Sequence, residues 1–161
     1  VGKGSTVSKA NQAAEMVGAT ASLALGAAPS TASIALSEPS GPASLAAGAS
    51  PRRVYLNFEN ISADQVTGGY VVYVEPAGEA LAQKGMVAGT LPMFGVVEAS
   101  SRQSPHGGSG LSYAFDITEI VNTMESLNQW NPKSLRLRVE PIREAPSDSG
   151  LKIGRISVFY R

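Results

Sequence analysis

Apolar and polar residues alternate through most of the chain after residue 52, and this pattern predicts β-strands. The stretches 53–61 (RVYLNFENI), 134–142 (SLRLRVEPI) and 151–160 (LKIGRISVFY) place every second side chain on an apolar face. Shorter apolar segments at 70–74, 87–97 and 111–115 are also predicted to be strands. Because the connections are short, five or six antiparallel strands are expected from residue 52 onward.

One segment changes from a period of two to a helical period. Apolar residues recur at helical spacing in Ile117, Ile120, Val121 and Met124, and Leu127 extends the same face. Asp116 precedes them and Glu119 follows three residues later, which is the spacing of a capping box. The run 128–132 (NQWNP) ends the pattern. The sequence therefore predicts one short helix between two late strands.

The first 51 residues have a different composition, dominated by Ala, Gly, Ser, Thr and Pro. A short helix is expected over 7–16, and the apolar stretches 20–25 and 32–36 predict a hairpin or two edge strands. The stretch 37–51 reads as a linker. So few large apolar residues indicate a segment that lies against something else rather than forming its own core.

Together these patterns predict an all-β fold. It is an antiparallel β-sandwich of jelly-roll type with one short helix, spanning 52–161 and preceded by an extended Ala/Gly/Ser-rich arm over 1–51. Two packed sheets of this strand length bury enough surface for an independent domain.

Composition excludes several classes of function. Lys and Arg total 13 and Asp and Glu total 13, so no charge imbalance favours nucleic acid or an anionic membrane. No apolar run approaches the roughly 20 residues of a membrane span. The start VGKGST has no signal-peptide core, so a soluble chain that begins within a longer or processed protein is expected. The cellular compartment stays open.

The chain has one histidine and no cysteine, which limits its catalytic and metal chemistry. Zinc hydrolysis, dicopper chemistry and His relays each need more ligands or bases than one imidazole supplies. No catalytic residue or metal ligand is therefore assigned, and the chain is not expected to be an enzyme on its own. His106, in the run SPHGGSG, is interpreted as a solvated loop imidazole.

The succession RVYLNFENI, AGTLPMFGVV, FDITEIV, SLRLRVEPI and LKIGRISVFY resembles the C-terminal domain of the tyrosinase and polyphenol oxidase family of type-3 copper enzymes. The preceding run 17–36 is similar to the segment that leads out of the catalytic domain in that family. The resemblance implies a β-sandwich lid that covers the active-site entrance and maintains latency. It also implies a tyrosinase-like catalytic domain as partner, linked or cleaved, with the dicopper centre in that partner and no cofactor in this chain.

The resemblance also points to an occluding loop. In the family, the loop after an Ala-Gly step places a bulky side chain in the dicopper pocket, and here that step is Ala88-Gly89. The implied placeholder residues are Leu91, Pro92, Met93 and Phe94, with Phe94 the closest mimic of a phenol in shape. Pro92 stiffens the loop and Gly95 permits a sharp return. The alternative is that Leu91 and Phe94 are core residues of a strand.

Two other classes of function fit the same patterns. A carbohydrate- or protein-binding module would use outward aromatic residues, for which Tyr55, Tyr73 and Phe159 are candidates. A structural assembly subunit would use 1–50 as an arm that wraps a neighbour. If the chain is a lid, the Gly/Ser-rich stretches 37–51 and 98–110 are the expected points of proteolytic activation.

Overall fold

The computed structural model describes residues 14–38, 53–65, 67–77, 85–103, 107–144 and 149–161. Nine strands lie within these ranges: β1 (Glu15–Thr20), β2 (Leu23–Ala24), β3 (Ser30–Ala35), β4 (Val54–Ser62), β5 (Tyr70–Glu75), β6 (Met86–Leu91), β7 (Leu111–Asp116), β8 (Ser134–Pro141) and β9 (Lys152–Tyr160). The same ranges contain two helices, α1 (Val96–Ser100) and α2 (Thr118–Ser126).

The strands form two antiparallel sheets. The first has the order β1-β9-β4-β7, with β2 also pairing to β9, and the second has the order β3-β8-β5-β6. The inner faces of both sheets contribute to one hydrophobic cluster. The predicted antiparallel β-sandwich is therefore confirmed.

The strands with the clearest alternation lie inside the sheets. Val54, Leu56 and Phe58 of β4 are fully buried, and Leu137 and Val139 of β8 are buried in the facing sheet. β9, predicted to close the sheet, pairs with β4 on one side and with β1 and β2 on the other. An interior position explains why its inward residues are uniformly apolar.

The first described segment is part of the sandwich. β1 pairs with β9 and β3 pairs with β8, so 14–38 supplies an edge strand to each sheet. The predicted stretch 32–36 overlaps β3, and the predicted stretch 20–25 contains the short β2, whereas β1 was not predicted as a strand. The helix expected over 7–16 lies mostly outside the described residues, and Glu15 and Met16 are in a strand. Most of the linker predicted at 37–51 also lies outside them.

The helix α2 forms where the sequence predicts it, with a different start. Ile117 occupies the cap position, and the Asp116 carboxylate accepts a hydrogen bond of 3.0 Å from the Thr118 backbone N–H. Glu119 is thus the second helical residue, not the third that a capping box requires. Val121 and Met124 are buried, whereas Leu127 is exposed. The helix docks through a narrower face than its sequence indicated.

The short helix α1 was not predicted. It occupies Val96–Ser100, which the apolar pattern had placed at the end of a strand and the start of a loop. Five residues are too few for a helical period to appear in the sequence. The 91–95 segment therefore runs from the end of β6 to the start of α1 and is held by a regular element on each side.

Candidate functional site

The candidate site is the turn at 91–95, which connects β6 to α1. Leu91 is the last residue of β6 and is fully buried, and Met93 is 3% exposed. These two side chains belong to the hydrophobic core and anchor the turn to it. Pro92, between them, is exposed.

The turn itself has a defined geometry. The Val96 backbone N–H donates a hydrogen bond of 3.2 Å to the Met93 carbonyl, so residues 93–96 form a β-turn. Gly95 has φ 77° and ψ 8°, the values of the third position of a type II turn. A Cβ added at Gly95 would meet no atom within 4 Å. Glycine is therefore favoured here by its backbone conformation and not by lack of space.

Phe94 occupies the second position of this turn and points away from the protein. Its exposed fraction is 97%, well above the 53% of Ile142 and the 57% of Val87. Of the four sequence-predicted residues, only Pro92 and Phe94 are thus directed outward, because Leu91 and Met93 are buried. The alternative that Leu91 is a core residue agrees with its burial, whereas Phe94 is not a core residue.

A tyrosine from the other sheet holds the base of the turn. The Tyr113 hydroxyl in β7 donates a hydrogen bond of 2.6 Å to the Pro92 carbonyl. Sequence reasoning missed this contact, since the alternation of 111–115 only places Tyr113 on the same face as Leu111 and Phe115, and Tyr113 and Pro92 are 21 positions apart. No local pattern in the sequence reports a contact over that separation.

Close packing of the two sheets supports the same region. A Cβ added at Gly89 would lie 2.5 Å from the Phe115 ring, so β6 and β7 approach each other through a residue that has no side chain. Phe115 also packs edge-on against Phe58, with ring centroids 5.7 Å apart. The strand that carries the turn is therefore backed by aromatic residues of the facing sheet.

An apolar cleft opens beside Phe94. Its volume is about 530 Å³, and Ile142 is one of its lining residues. The Ile142 N–H donates a hydrogen bond of 3.0 Å to the Gly69 carbonyl, which also belongs to a lining residue. Among the residues that line it, Glu98 is the one ionisable group. The lining residues are Thr67, Gly69, Thr90, Pro92, Met93, Phe94, Gly95, Val96, Val97, Glu98 and Ile142. Phe94, Ile142 and the cleft that both of them line form an exposed apolar surface with a protruding aromatic ring.

The candidate aromatic residues of a binding module do not share one surface. Tyr55 and Phe159 are direct cross-strand neighbours on the outer face of the first sheet, and Met16 follows Phe159 in the same row. Tyr73 lies on the second sheet, where the Arg138 guanidinium stacks 4.8 Å from its ring centroid. Arg138 also pairs with Glu75 at 2.8 Å, so it is engaged within the sheet.

Two ion pairs join charged groups of the first sheet. The Arg155 guanidinium donates two hydrogen bonds, of 2.8 and 3.0 Å, to the Glu59 carboxylate, and these lower the pKa of Glu59. Asp116 pairs with Arg53 at 3.0 Å. The pKa of Asp116 is lowered chiefly by the hydrogen bond from the Thr118 side chain. Capping and pairing account for these carboxylates without any catalytic role.

The described residues offer neither a metal site nor a membrane-spanning helix. Within the described ranges, no cluster of three or more His, Cys, Asp or Glu side chains is arranged to hold a metal ion. His106 lies outside those ranges, as does part of the 98–110 stretch. No helix in the described part of the chain has the length and hydrophobicity needed to cross a bilayer.

Comparison with known proteins identifies relatives of this chain. It is 27% identical over 113 residues to Tyrosinase HcTyr1 of Hahella sp. (strain CCB-MM4), a match covering 70% of this chain and 24% of that protein. The structure of latent apple tyrosinase (MdPPO1) aligns with 87% of this chain and 27% of its own, at 17% identity and a TM-score of 0.48. The chain thus spans about a quarter of the length of each protein.

The bacterial match confirms the predicted relationship to the tyrosinase family. A family model covers nearly the whole chain, from residue 13 to residue 161. Its N-terminal limit lies just before β1, so the match includes the edge strands as well as the central ones. The chain belongs to the family described as Domain of unknown function (DUF7868).

Proposed function

We propose that this chain is the non-catalytic C-terminal domain of a tyrosinase-like dicopper oxidase, and that it covers the active-site entrance and keeps the enzyme latent. In this proposal the catalytic domain and its copper ions lie in another part of the protein. The sandwich contributes the covering surface, and Phe94 contributes the side chain that enters the pocket in place of a phenol.

The observation that carries the proposal is the exposure of Phe94. A phenylalanine that is 97% exposed leaves almost its whole ring in water, where it contributes nothing to the stability of its own domain. The type II turn and the Tyr113 hydrogen bond hold it in this position instead of letting it fold back. A rigid, protruding aromatic residue is typical of a contact that is completed by a partner.

The buried neighbours explain how the ring is held out. Leu91 and Met93 are anchored in the core on either side of Pro92, so the turn cannot retract without breaking packing. We assign them a positioning role, and we assign occlusion to Phe94. Copper, when bound in the catalytic domain, would supply the oxidation chemistry, and this chain would only exclude substrate and water from that site.

The apolar cleft next to Phe94 would receive an apolar side chain from the rim of the partner's active site. Burial of both surfaces would provide the affinity, since the chain has no net charge to attract a partner over distance. Glu98 at the edge of the cleft is suited to pair with a basic side chain of the partner.

The test is inhibition of a tyrosinase catalytic domain that lacks its own covering domain. The purified chain is added and catechol oxidation is followed. We expect inhibition, and we expect Phe94→Ser to weaken it by about 30-fold, the loss typical of an interface residue worth about 2 kcal/mol. Leu127→Ser is the matched control, because Leu127 is 55% exposed but lies at the end of α2.

Two results would contradict the proposal in different ways. If Phe94→Ser and Leu127→Ser weaken inhibition equally, the turn does not occlude the active site. If the folded chain neither inhibits the catalytic domain nor forms a complex with it, the chain is not a lid.

The alternative of a carbohydrate- or protein-binding module has support from one row of residues. Tyr55, Phe159 and Met16 lie side by side on the outer face of the first sheet, and Met16 is 48% exposed. Binding of a glycan or peptide that is abolished by Phe159→Ser but unaffected by Phe94→Ser would favour this alternative.

A further inference from the structure

We infer that residues 14–38 form a strand clamp, which holds the sandwich after the chain is cut between residues 39 and 52. Cleavage there would leave the two parts joined without a covalent bond. The inference extends the proposed function, because a lid cut at this point would stay in place and the enzyme would remain latent. The clamp itself depends only on contacts within this chain.

The first support is backbone pairing with both sheets. β3 pairs with β8 without interruption from Ser30↔Val139 to Ala35↔Ser134, and β1 pairs with β9 from Glu15↔Tyr160 to Thr20↔Ile156. The Leu25 N–H donates to the Leu151 carbonyl at 3.0 Å, and the Leu36 N–H donates to the Lys133 carbonyl at 2.9 Å. The clamp is therefore hydrogen-bonded to the last third of the chain in both sheets, through β1 in the first sheet and β3 in the second.

The second support is burial. Five apolar residues of the clamp point inward: Val17, Leu25, Ala32, Ile34 and Leu36 are at most 9% exposed and belong to the main hydrophobic cluster. Removing the clamp would expose these side chains and the apolar surfaces that they cover. It would also leave the edges of β8 and β9 unpaired.

The third support is the close fit of the clamp to itself. A Cβ added at Gly18 would lie 2.5 Å from the Ala35 carbonyl oxygen, so β1 and β3 meet across the sandwich at a position that only glycine fits. The Ser37 N–H and hydroxyl both donate to the Val17 carbonyl, at 2.7 and 3.0 Å. The two clamp strands therefore close the sandwich edge together, one from each sheet.

These contacts change the expectation that a cut in 37–51 activates the enzyme. A cut between 39 and 52 severs the covalent connection between β3 and β4 but none of the pairing described above. Release of the sandwich from a domain that precedes residue 14 would instead require a cut on the N-terminal side of β1, or unfolding of the clamp. Of the Gly/Ser-rich stretches, 37–51 is thus a poor point for activation by a single cut.

The experiment uses the full chain with the recognition sequence of a site-specific protease inserted between positions 45 and 46. After complete cleavage, verified on a denaturing gel, native mass spectrometry and size-exclusion chromatography report whether the fragments stay together. We expect one species containing both fragments at micromolar and at nanomolar concentration. Separation on dilution, with the larger fragment still folded, would overturn the inference.

Two glycine variants of the cleavable chain provide a matched pair. Gly18→Ala adds a methyl group where there is no room, and we expect the clamp fragment to dissociate at least about tenfold faster. Gly26→Ala adds the same group where no atom lies within 4 Å, and we expect no change. Equal dissociation of the two variants would contradict the packing argument.

If uncut Gly18→Ala fails to unfold cooperatively, Ile34→Val replaces it. This change removes one buried methyl group, and a two- to tenfold faster dissociation is expected. All of these measurements use this chain alone, so their outcome is independent of whether it inhibits a tyrosinase.

Discussion

The strand clamp and the 91–95 turn show opposite relations between composition and burial. The clamp, residues 14–38, is rich in Ala, Gly, Ser and Thr, yet it supplies an edge strand to each sheet and buries Ile34 completely. The turn contains Leu91, Met93 and Phe94, yet it leaves Phe94 97% exposed.

The difference arises from what each segment pairs with. Small residues let β1 and β3 approach each other closely, so a weakly hydrophobic segment can complete the core. In the turn, the backbone reverses over Phe94 and Gly95, and the side chain at the tip has no facing element. The small residues of the clamp therefore serve close packing, whereas Phe94 at the tip of the turn stays almost fully exposed.

The largest expected effect lies in the clamp. Ile34→Ala should lower the free energy of unfolding by about 2 to 5 kcal/mol, because it leaves a cavity at a fully buried position. Urea denaturation measures the loss. Ser33→Ala, at an exposed position of the same strand, should change the stability by less than about 0.5 kcal/mol. A small loss for Ile34→Ala would show that the clamp is not part of the cooperative core.

The next effect concerns the backbone of the turn. Gly95→Val should cost roughly 1 to 2 kcal/mol, since a β-branched residue is strained at φ 77°. Gly95→Asn should cost less, because asparagine tolerates the left-handed region. Thermal unfolding of the two variants compares them directly. Equal stability of both would mean that the turn adopts another conformation.

A smaller effect is expected at the hydrogen bond that holds the turn. Tyr113→Phe removes the donor to the Pro92 carbonyl and keeps the ring, so it should cost up to about 1 kcal/mol. Amide hydrogen exchange at Val96 should become faster, because its bond to Met93 closes the same turn. Tyr55→Phe, on the outer face of the first sheet, is the control and should leave Val96 exchange unchanged.

The smallest effect on stability is expected at Phe94. Phe94→Ser should change the free energy of unfolding by less than about 0.5 kcal/mol, because almost none of the ring is buried. Met93→Ala, one residue earlier and 3% exposed, should cost about 2 kcal/mol or more. A large loss at Phe94 would mean that its ring packs within this domain in solution, which would contradict its role at an interface.

Much of the fold could be predicted because strands and helices leave periodic patterns. The alternation in β4 and β8 and the helical spacing in α2 indicated both the element and its buried face. Of the clamp strands, β2 and β3 lie in predicted stretches but were assigned to an arm outside the sandwich, and β1 was missed, since small residues give a weak hydrophobic signal. Helix α1 was missed because it is only five residues long.

The candidate site could be located from the sequence but not resolved into roles. The resemblance pointed to Leu91, Pro92, Met93 and Phe94 as a group, and the neighbouring Gly95 indicated a sharp turn. Which of the apolar side chains faces the core depends on where β6 ends and how the chain reverses. Tyr113, which bonds to the Pro92 carbonyl, and Ile142, which lines the cleft, come from distant parts of the chain, so no local sequence pattern indicates them.

The sequence by itself determined the all-β class, the antiparallel arrangement and most inward faces, since these follow from periodicity and short connections between neighbours. Only the tertiary structure decided that residues 14–38 complete both sheets and that Phe94 protrudes while Leu91 and Met93 are buried. The physical reason is that burial depends on which surfaces meet. The hydrophobic cluster includes residues as far apart in sequence as Val17 and Val158, whose hydrophobicity alone does not reveal their partners.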